Sequence, residues 1–149
     1  MGKLRCVCFF FLLPLCVAFG QTSADIEEVL GERAVTCEQA TWFTLAAALD
    51  SQPANPQAAF TLALESGWLP ADAQRSAPIN GGSLAYLMMK AFDINGGIMY
   101  RLTGNRRYAY REMKYRGYID ASAYPNRAVS GEQFLQILSN VINDEGRTR

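Results

Sequence analysis

The sequence has no histidine among its 149 residues, and this absence limits the chemistry it can perform. Histidine is the side chain most often used as a general base near neutral pH and is the commonest metal ligand. Without it, serine- and cysteine-dependent triads have no base. Cysteine is also scarce: Cys6, Cys8 and Cys16 lie close to the N-terminus and Cys37 stands alone in the rest of the chain, so no group has zinc-site spacing. We therefore expect no metal, no cofactor and no catalytic residues.

The N-terminus has the three-part pattern of a secretory signal peptide. Lys3 and Arg5 give a basic start, an uncharged run rich in Phe and Leu follows, and Ala18-Phe19-Gly20 puts small residues where signal peptidase reads them. The run is shorter than the ~20 apolar residues that span a bilayer. We expect cleavage after Gly20, with residues 1–20 removed and the protein secreted or periplasmic; an uncleaved N-terminal anchor stays open as the alternative.

The remaining residues 21–149 have the size of a single domain and little net charge. Without Lys3 and Arg5, twelve basic residues face fourteen acidic ones, a net charge near −2. This balance indicates neither a nucleic-acid partner nor a membrane span. The single Cys37 excludes an intrachain disulfide framework. Cys37 is compatible with an ordinary thiol, an intermolecular disulfide partner or, beside a helix N-terminus, a thiol of lowered pKa.

A shift of fifty residues lays part of the chain on itself without a gap, which predicts an internal repeat. The matched pairs are Ala59 with Ala109, Phe60 with Tyr110, Gly67 with Gly117, Trp68 with Tyr118, Ile79 with Val129, Leu84 with Phe134 and Leu87 with Ile137. A shorter third copy is indicated by the likeness of residues 34–39 to residues 128–133. We expect one helical domain with a partial copy at 24–50 and copies at 55–94 and 105–145.

Each full copy predicts two helices joined by an irregular loop. The first helix ends at Gly67 or Gly117, where a left-handed C-terminal cap is favoured. The second helix begins after an apolar residue and a capping residue, at Ile79-Asn80 and Val129-Ser130. The partial copy has the same start at Val35-Thr36. No segment alternates convincingly at period two. The predicted fold class is therefore all-α, with about two and a half helix–loop–helix repeats packed as one small helical bundle.

The segment from residue 100 to residue 118 is the richest in possible binding side chains. It holds half of the basic residues after position 20, five of the seven tyrosines and a single acid, Glu112. Guanidinium groups offer paired donors to carboxylates or phosphates, and tyrosine offers a flat surface to a sugar. A solvated helical face with local ion pairs is the alternative. The candidate ligand-binding residues are Arg101, Arg106, Arg107, Tyr108, Arg111, Lys114 and Tyr115.

A helix, a Gly-aromatic-aliphatic turn, a loop, an Ile/Val-cap pair and a second helix follow one another at residues 59–92 and again at 109–142. This layout resembles the S-layer homology repeat. The resemblance implies repeats packed as a helical prism, an extracytoplasmic location and attachment to anionic polymers of the bacterial envelope. At the family's Thr-Arg-Ala-Glu-like tetrad this chain has Thr36-Cys37-Glu38-Gln39, Asn80-Gly81-Gly82-Ser83 and Ser130-Gly131-Glu132-Gln133. The arginine is absent each time.

These patterns lead us to expect a non-enzymatic extracytoplasmic module that binds an anionic envelope glycan through a basic-aromatic helix. One alternative is a protein–protein assembly module of the envelope, oligomeric through the apolar face that the incomplete first copy leaves uncovered. A more remote one is an envelope-glycan hydrolase, which needs two converging acids from residues such as Glu65, Asp72 and Asp120. Nucleic acid is not an expected partner.

Overall fold

A computed structural model describes residues 23–49 and 53–148; the predicted signal peptide, residues 1–20, lies outside the described residues. Within that part of the chain seven α-helices form and no strand does, which confirms the predicted all-α class. The helices are α1 Ser23–Gly31, α2 Cys37–Ala48, α3 Pro56–Glu65, α4 Gly81–Ala91, α5 Ile98–Thr103, α6 Arg106–Tyr115 and α7 Gly131–Thr148.

A closed ring of three backbone hydrogen bonds lies where α2, α4 and α7 begin. Val35 N donates to the carbonyl oxygen of Val129 at 2.9 Å, Ile79 N donates to that of Val35 at 2.9 Å, and Val129 N donates to that of Ile79 at 3.1 Å. The three side chains are buried. Because buried peptide groups need partners, the ring fixes the three helix starts against one another.

The first amide of each of these three helices is also bound by another segment of the chain. The first four amides of a helix lack partners within it. Here the first amide of each helix donates to a backbone carbonyl oxygen from another segment. The bonds are Cys37 N to Ala77 O at 2.9 Å, Gly81 N to Arg127 O at 3.1 Å and Gly131 N to Glu32 O at 2.9 Å. Each helix start is therefore tied to a loop that precedes a different helix.

The predicted helix caps are present. Thr36 accepts a hydrogen bond from Gln39 N at 3.2 Å, and the Gln39 side chain accepts one from Thr36 N at 3.0 Å. Ser130 and Gln133 exchange the same pair of bonds, both at 3.3 Å. These are two complete capping boxes. Asn80 caps α4 by accepting from the amide of Ser83.

The first helices of the two predicted full copies end with the same backbone geometry. Gly67 and Gly117 have φ of +70° and +76°, in the left-handed region where glycine is favoured. The same hydrogen bonds recur at the same spacing: Gly67 N to Leu64 O, Trp68 N to Ala63 O, Gly117 N to Lys114 O and Tyr118 N to Met113 O. The predicted left-handed caps are therefore confirmed.

The core lies around the ring, between α2, α3, α4, α6 and α7. The sequence predicts ten core residues: Trp42, Phe43, Phe60, Trp68, Leu84, Leu87, Phe92, Phe134, Ile137 and Leu138. Eight of them are buried, whereas Trp42 and Trp68 are half-buried and pack against the cluster from outside. Phe43 and Phe134 meet edge to face, with ring centroids 6.3 Å apart, at its centre.

The six-residue helix α5 lies between the predicted copies at 55–94 and 105–145, and the sequence-based expectations assign no helix there. It begins after Gly97, which provides no side-chain cap, and ends at Gly104 in the left-handed conformation with φ +57°. Only Tyr100 among its residues is buried. A single helical turn and a half is too short for apolar periodicity to be visible in a sequence.

Substitution of Gly131 by alanine tests how closely α1 packs on the start of α7. A Cβ atom at this position would lie 1.6 Å from the carbonyl oxygen of Val29, so the backbone of α1 would have to move. We expect Gly131→Ala to lower the free energy of unfolding by about 1–3 kcal/mol. Chemical denaturation measures this, and limited proteolysis should show faster cleavage near α1. Gly31→Ala is the control, because its Cβ meets nothing within 4 Å.

Candidate functional site

The helix α6 carries most of the predicted binding residues and is anchored by its inner face. Asn105 caps it by accepting from the amide of Arg107 at 2.8 Å. Ala109, Tyr110 and Met113 are buried, and α6 packs closely on α4. The opposite face of α6 is therefore turned to solvent.

On that outer face Arg107, Arg111 and Tyr115 follow one another at intervals of four residues, and all three are exposed. Tyr115 is the most exposed of them, at 89%. We call these three residues the basic stripe. In the described part of the chain neither guanidinium forms a salt bridge. The stripe therefore combines two unpaired planar cations with an aromatic ring, which suits an anionic ligand with sugar faces.

The other four candidates lie around the stripe in different roles. Tyr108 is half-buried and packs against the core. Arg101 is exposed on α5. The Arg106 guanidinium lies 5.8 Å from the centre of the Tyr86 ring, a cation–π contact, and its Nε is buried without a hydrogen-bond partner among the described residues. The structure thus brings Tyr108 beside the stripe and turns Arg106 towards the core.

Lys114 does not join the basic stripe, although its spacing from Arg111 predicts a shared face. Its ammonium group donates hydrogen bonds to the carbonyl oxygens of Ala121 and, at 3.4 Å, Ala123. It also lies 5.8 Å from the centre of the Tyr110 ring. Lys114 therefore holds the loop after α6 against the helix, and two of its three donors are already bound to that loop.

Truncation of Lys114 should therefore affect stability more than truncation of a stripe residue. We expect Lys114→Ala to lower the free energy of unfolding by about 1 kcal/mol and to speed amide exchange in residues 120–128. Arg107→Ala, on the exposed face of the same helix, should change stability by less than about 0.5 kcal/mol. Urea denaturation and hydrogen exchange measure both; equal effects of the two variants would contradict the structural role of Lys114.

An ion pair between Glu112 of α6 and Arg116 contacts the residues just before α5. Glu112 accepts hydrogen bonds from Arg116 Nε and from the backbone amide of Gly97, both at 3.1 Å. Arg116 also donates to the carbonyl oxygen of Asn95. The alternative of local ion pairs predicts Arg111 and Glu112 among them, whereas in the structure Glu112 pairs with Arg116. Glu112 and Arg116 together position the start of α5.

A groove of about 830 Å³ lies between the loop after α6 and the start of α7, and no sequence pattern indicates it. Arg33, Arg127 and Asp120 line it together with Tyr110, whose hydroxyl is buried without a hydrogen-bond partner in the described part of the chain. Burial, with a smaller contribution from Asp120, raises the pKa of Tyr110. These residues come from distant segments, so no local spacing could bring them to attention.

The interpretation of Cys37 as a thiol of lowered pKa is wrong. Cys37 is the first residue of α2, and only 6% of it is exposed, at a smaller groove. Burial raises the pKa of its thiol because the thiolate loses solvation. At this position desolvation outweighs any attraction of the thiolate to the helix N-terminus.

The three acids considered for glycan hydrolysis do not gather at one place. Asp120 lines the large groove, Asp72 lines the smaller one, and Glu65 lines neither. Asp120 accepts hydrogen bonds from the backbone amide and hydroxyl of Ser122, which lower its pKa. Over residues 23–49 and 53–148, no group of three or more acidic or cysteine side chains is placed to hold a metal ion.

Comparisons with known proteins add no relative to this description. No family model, no curated protein and no solved structure matches the chain. The likeness to the S-layer homology repeat therefore stays a prediction from the sequence. In the part of the chain that the structure describes, no helix has the length and apolar character needed to cross a membrane.

Alkaline titration tests the burial of Tyr100 and Cys37. Burial raises the pKa of Tyr100 from 10.0 to about 12, and the nearby Tyr86 adds to the rise. Burial also raises the pKa of the Cys37 thiol above 9.0. The unfolded chain loses these protons at lower pH than the folded protein. The Tyr100 contribution to stability is therefore fully present below pH 10 and is lost as pH rises through about 12.

We expect the free energy of unfolding to fall as pH rises above 9, and more steeply above 10, as measured by urea denaturation at a series of pH values. Tyr100→Phe should give a shallower fall above pH 10, because the variant has no phenol to ionise. Tyr115→Phe is the control, since Tyr115 is exposed. The same pH dependence in the wild type and in Tyr100→Phe would contradict the role of Tyr100.

Proposed function

We propose that this protein is a non-enzymatic, extracytoplasmic binding module whose ligand is an anionic polymer of the cell envelope. The observation that carries the proposal is the basic stripe. Arg107 and Arg111 lie on the outer face of a well-anchored helix, without salt bridges in the described part of the chain, and Tyr115 continues their line. An exported location, predicted from residues 1–20, is part of the proposal.

The geometry of the stripe suits a polymer better than a small ion. Residues four apart on a helix lie about 6 Å apart along its axis, so Arg107 and Arg111 can each meet a different anionic group of a repeating chain. Guanidinium binds carboxylate or phosphate with paired hydrogen bonds, and the Tyr115 ring offers its face to a sugar. The stripe lies on an open surface rather than in a pocket, which leaves room for an extended ligand.

Sedimentation with isolated cell-wall material tests this function. We expect the purified residues 21–149 to sediment with the wall at low salt and much less at high salt, because exposed ionic contacts are screened. Arg107→Glu with Arg111→Glu should abolish sedimentation and leave the size of the protein unchanged. Binding that is absent, or that does not respond to salt, would contradict an electrostatic site.

A single charge reversal elsewhere separates the stripe from the overall charge of the protein. Arg75 lies in the loop before α4, is half exposed and pairs with Glu38 at 3.6 Å. Arg75→Glu changes the net charge as much as Arg107→Glu does. We expect Arg75→Glu to retain wall binding and Arg107→Glu to lose most of it. Equal losses would indicate a diffuse charge effect rather than a site.

A protein–protein assembly function is the second candidate, and the surface of α1 favours it. Ile26 and Leu30 are exposed on this short helix, whereas Val29 is buried against the rest of the protein. A second protein chain could cover the two exposed side chains. In that case Ile26→Ser with Leu30→Ser should reduce the oligomer size in sedimentation velocity, while Arg107→Glu with Arg111→Glu should leave it unchanged.

A further inference from the structure

The short helix α5 presents its apolar side to solvent. Ile98 and Leu102 are 74% and 75% exposed, and Met99 is 49% exposed. At about 100° per residue, these three side chains occupy one continuous arc of the helix, and the buried Tyr100 lies on the opposite side. Single exposed apolar residues are common on protein surfaces, but three adjacent ones on one helical face form a patch that indicates a binding surface.

The surrounding residues fix α5 in this orientation. The Tyr100 ring meets the Tyr86 ring edge to face, with centroids 6.2 Å apart, and Lys90 lies 5.9 Å from the centre of the Tyr100 ring. A Cβ atom on Gly96 would lie 2.3 Å from the Tyr100 ring, so the glycine allows the ring to sit there. Glu112 binds the amide of Gly97 at the start of the helix. The apolar side is thus held outward by contacts on the inner side.

The charge around this patch is positive. From residue 98 to residue 106 the chain has two arginines, Arg101 and Arg106, and no acid. Arg101 is exposed on α5 itself beside the apolar arc, and the exposed Lys90 has its ammonium group 5.9 Å from the centre of the Tyr100 ring. The carboxylate of Glu112, which meets the start of α5, is already bound by Arg116.

We infer that α5 docks on the surface of an anionic lipid bilayer, with Ile98, Met99 and Leu102 inserted among the acyl chains and the exposed cations Arg101 and Lys90 facing the lipid headgroups. An apolar face flanked by arginine is the pattern of segments that lie in a membrane interface. A helix of six residues is about 9 Å long, so the insertion is shallow and reversible. This docking surface is separate from the basic stripe and does not depend on the proposed glycan binding.

The residues of the patch favour a bilayer over the other possible occupants. Aliphatic side chains offer a sugar neither hydrogen bonds nor an aromatic face, so a glycan has little to gain from Ile98 and Leu102. A second copy of the chain would place Arg101 and Lys90 close to the same cations, and like charges repel. An anionic bilayer meets both requirements, because it accepts aliphatic groups and attracts cations.

Vesicle co-sedimentation tests the inference on the purified residues 21–149. The probes are vesicles of phosphatidylcholine alone and of phosphatidylcholine with phosphatidylglycerol. We expect binding to the mixed vesicles at low salt and little binding to the neutral ones, since both insertion and charge contribute. Ile98→Ser with Leu102→Ser should reduce the partition into anionic vesicles by about tenfold or more. Leu62→Ser is the matched control, because Leu62 is exposed on α3 and should bind as the wild type does.

Three results would overturn the docking surface. They are failure of the wild type to bind anionic vesicles, unchanged binding by the Ile98→Ser, Leu102→Ser variant, and a smaller oligomer for that variant in sedimentation velocity, which would identify a second copy as the occupant. The same variant should still sediment with cell-wall material. Loss of wall binding in Arg107→Glu, Arg111→Glu and loss of vesicle binding in the α5 variant are thus separate outcomes, so either proposal can fail alone.

Discussion

The fold depends on three peptide groups that satisfy one another in the centre of the molecule. Val35, Ile79 and Val129 each donate to one member of the ring and accept from the other. Each lies two residues before the start of a helix, so the ring brings the N-termini of α2, α4 and α7 to one place. A buried peptide group without a partner would cost about 1–3 kcal/mol, and three at once would outweigh much of the stability of a small domain. The apolar side chains shield the ring from water. The helices can therefore keep this arrangement only while these three residues are buried.

Local signals in the sequence predict the helix ends well but not what the ends are joined to. The capping boxes of α2 and α7 and the left-handed glycines at 67 and 117 follow from a few neighbouring residues, and the structure has them. In the sequence, Val35, Ile79 and Val129 are recognisable only as apolar residues before a helix cap. The ring that they form cannot be predicted, because a hydrogen bond between residues 35 and 129 has no local signature. Helix α5 escapes prediction for two other reasons. It is too short for apolar periodicity to be visible, and its apolar residues face outward, so the usual link between periodicity and burial does not hold there.

In the candidate site, too, local sequence predicts some features and contacts between distant segments decide others. The spacing of Arg107 and Arg111 predicts a shared exposed face, and that face is exposed in the structure. Lys114 has equally suitable spacing, but the loop at residues 121–123 comes close enough to accept its hydrogen bonds. Cys37 has the helix position of an activated thiol, but its burial raises the pKa instead. In both cases a contact from a distant segment decides the outcome. A property that depends on one helix can be predicted from its sequence, whereas one that depends on what packs against it cannot.

The two proposed surfaces can act together because they lie on different sides of α6. Glu112 binds the amide at the start of α5 and so marks the side of α6 that α5 occupies. On a helix, Glu112 is about 140° around the axis from Arg107 and about 100° from Arg111. A protein resting on a bilayer through Ile98 and Leu102 therefore uses a helix packed on a different side of α6 from the one that carries the basic stripe. The hydrogen bond from Gly97 N to Glu112 holds α5 on this side of α6. The separation of the two surfaces therefore depends on how α5 packs on α6 rather than on either helix alone.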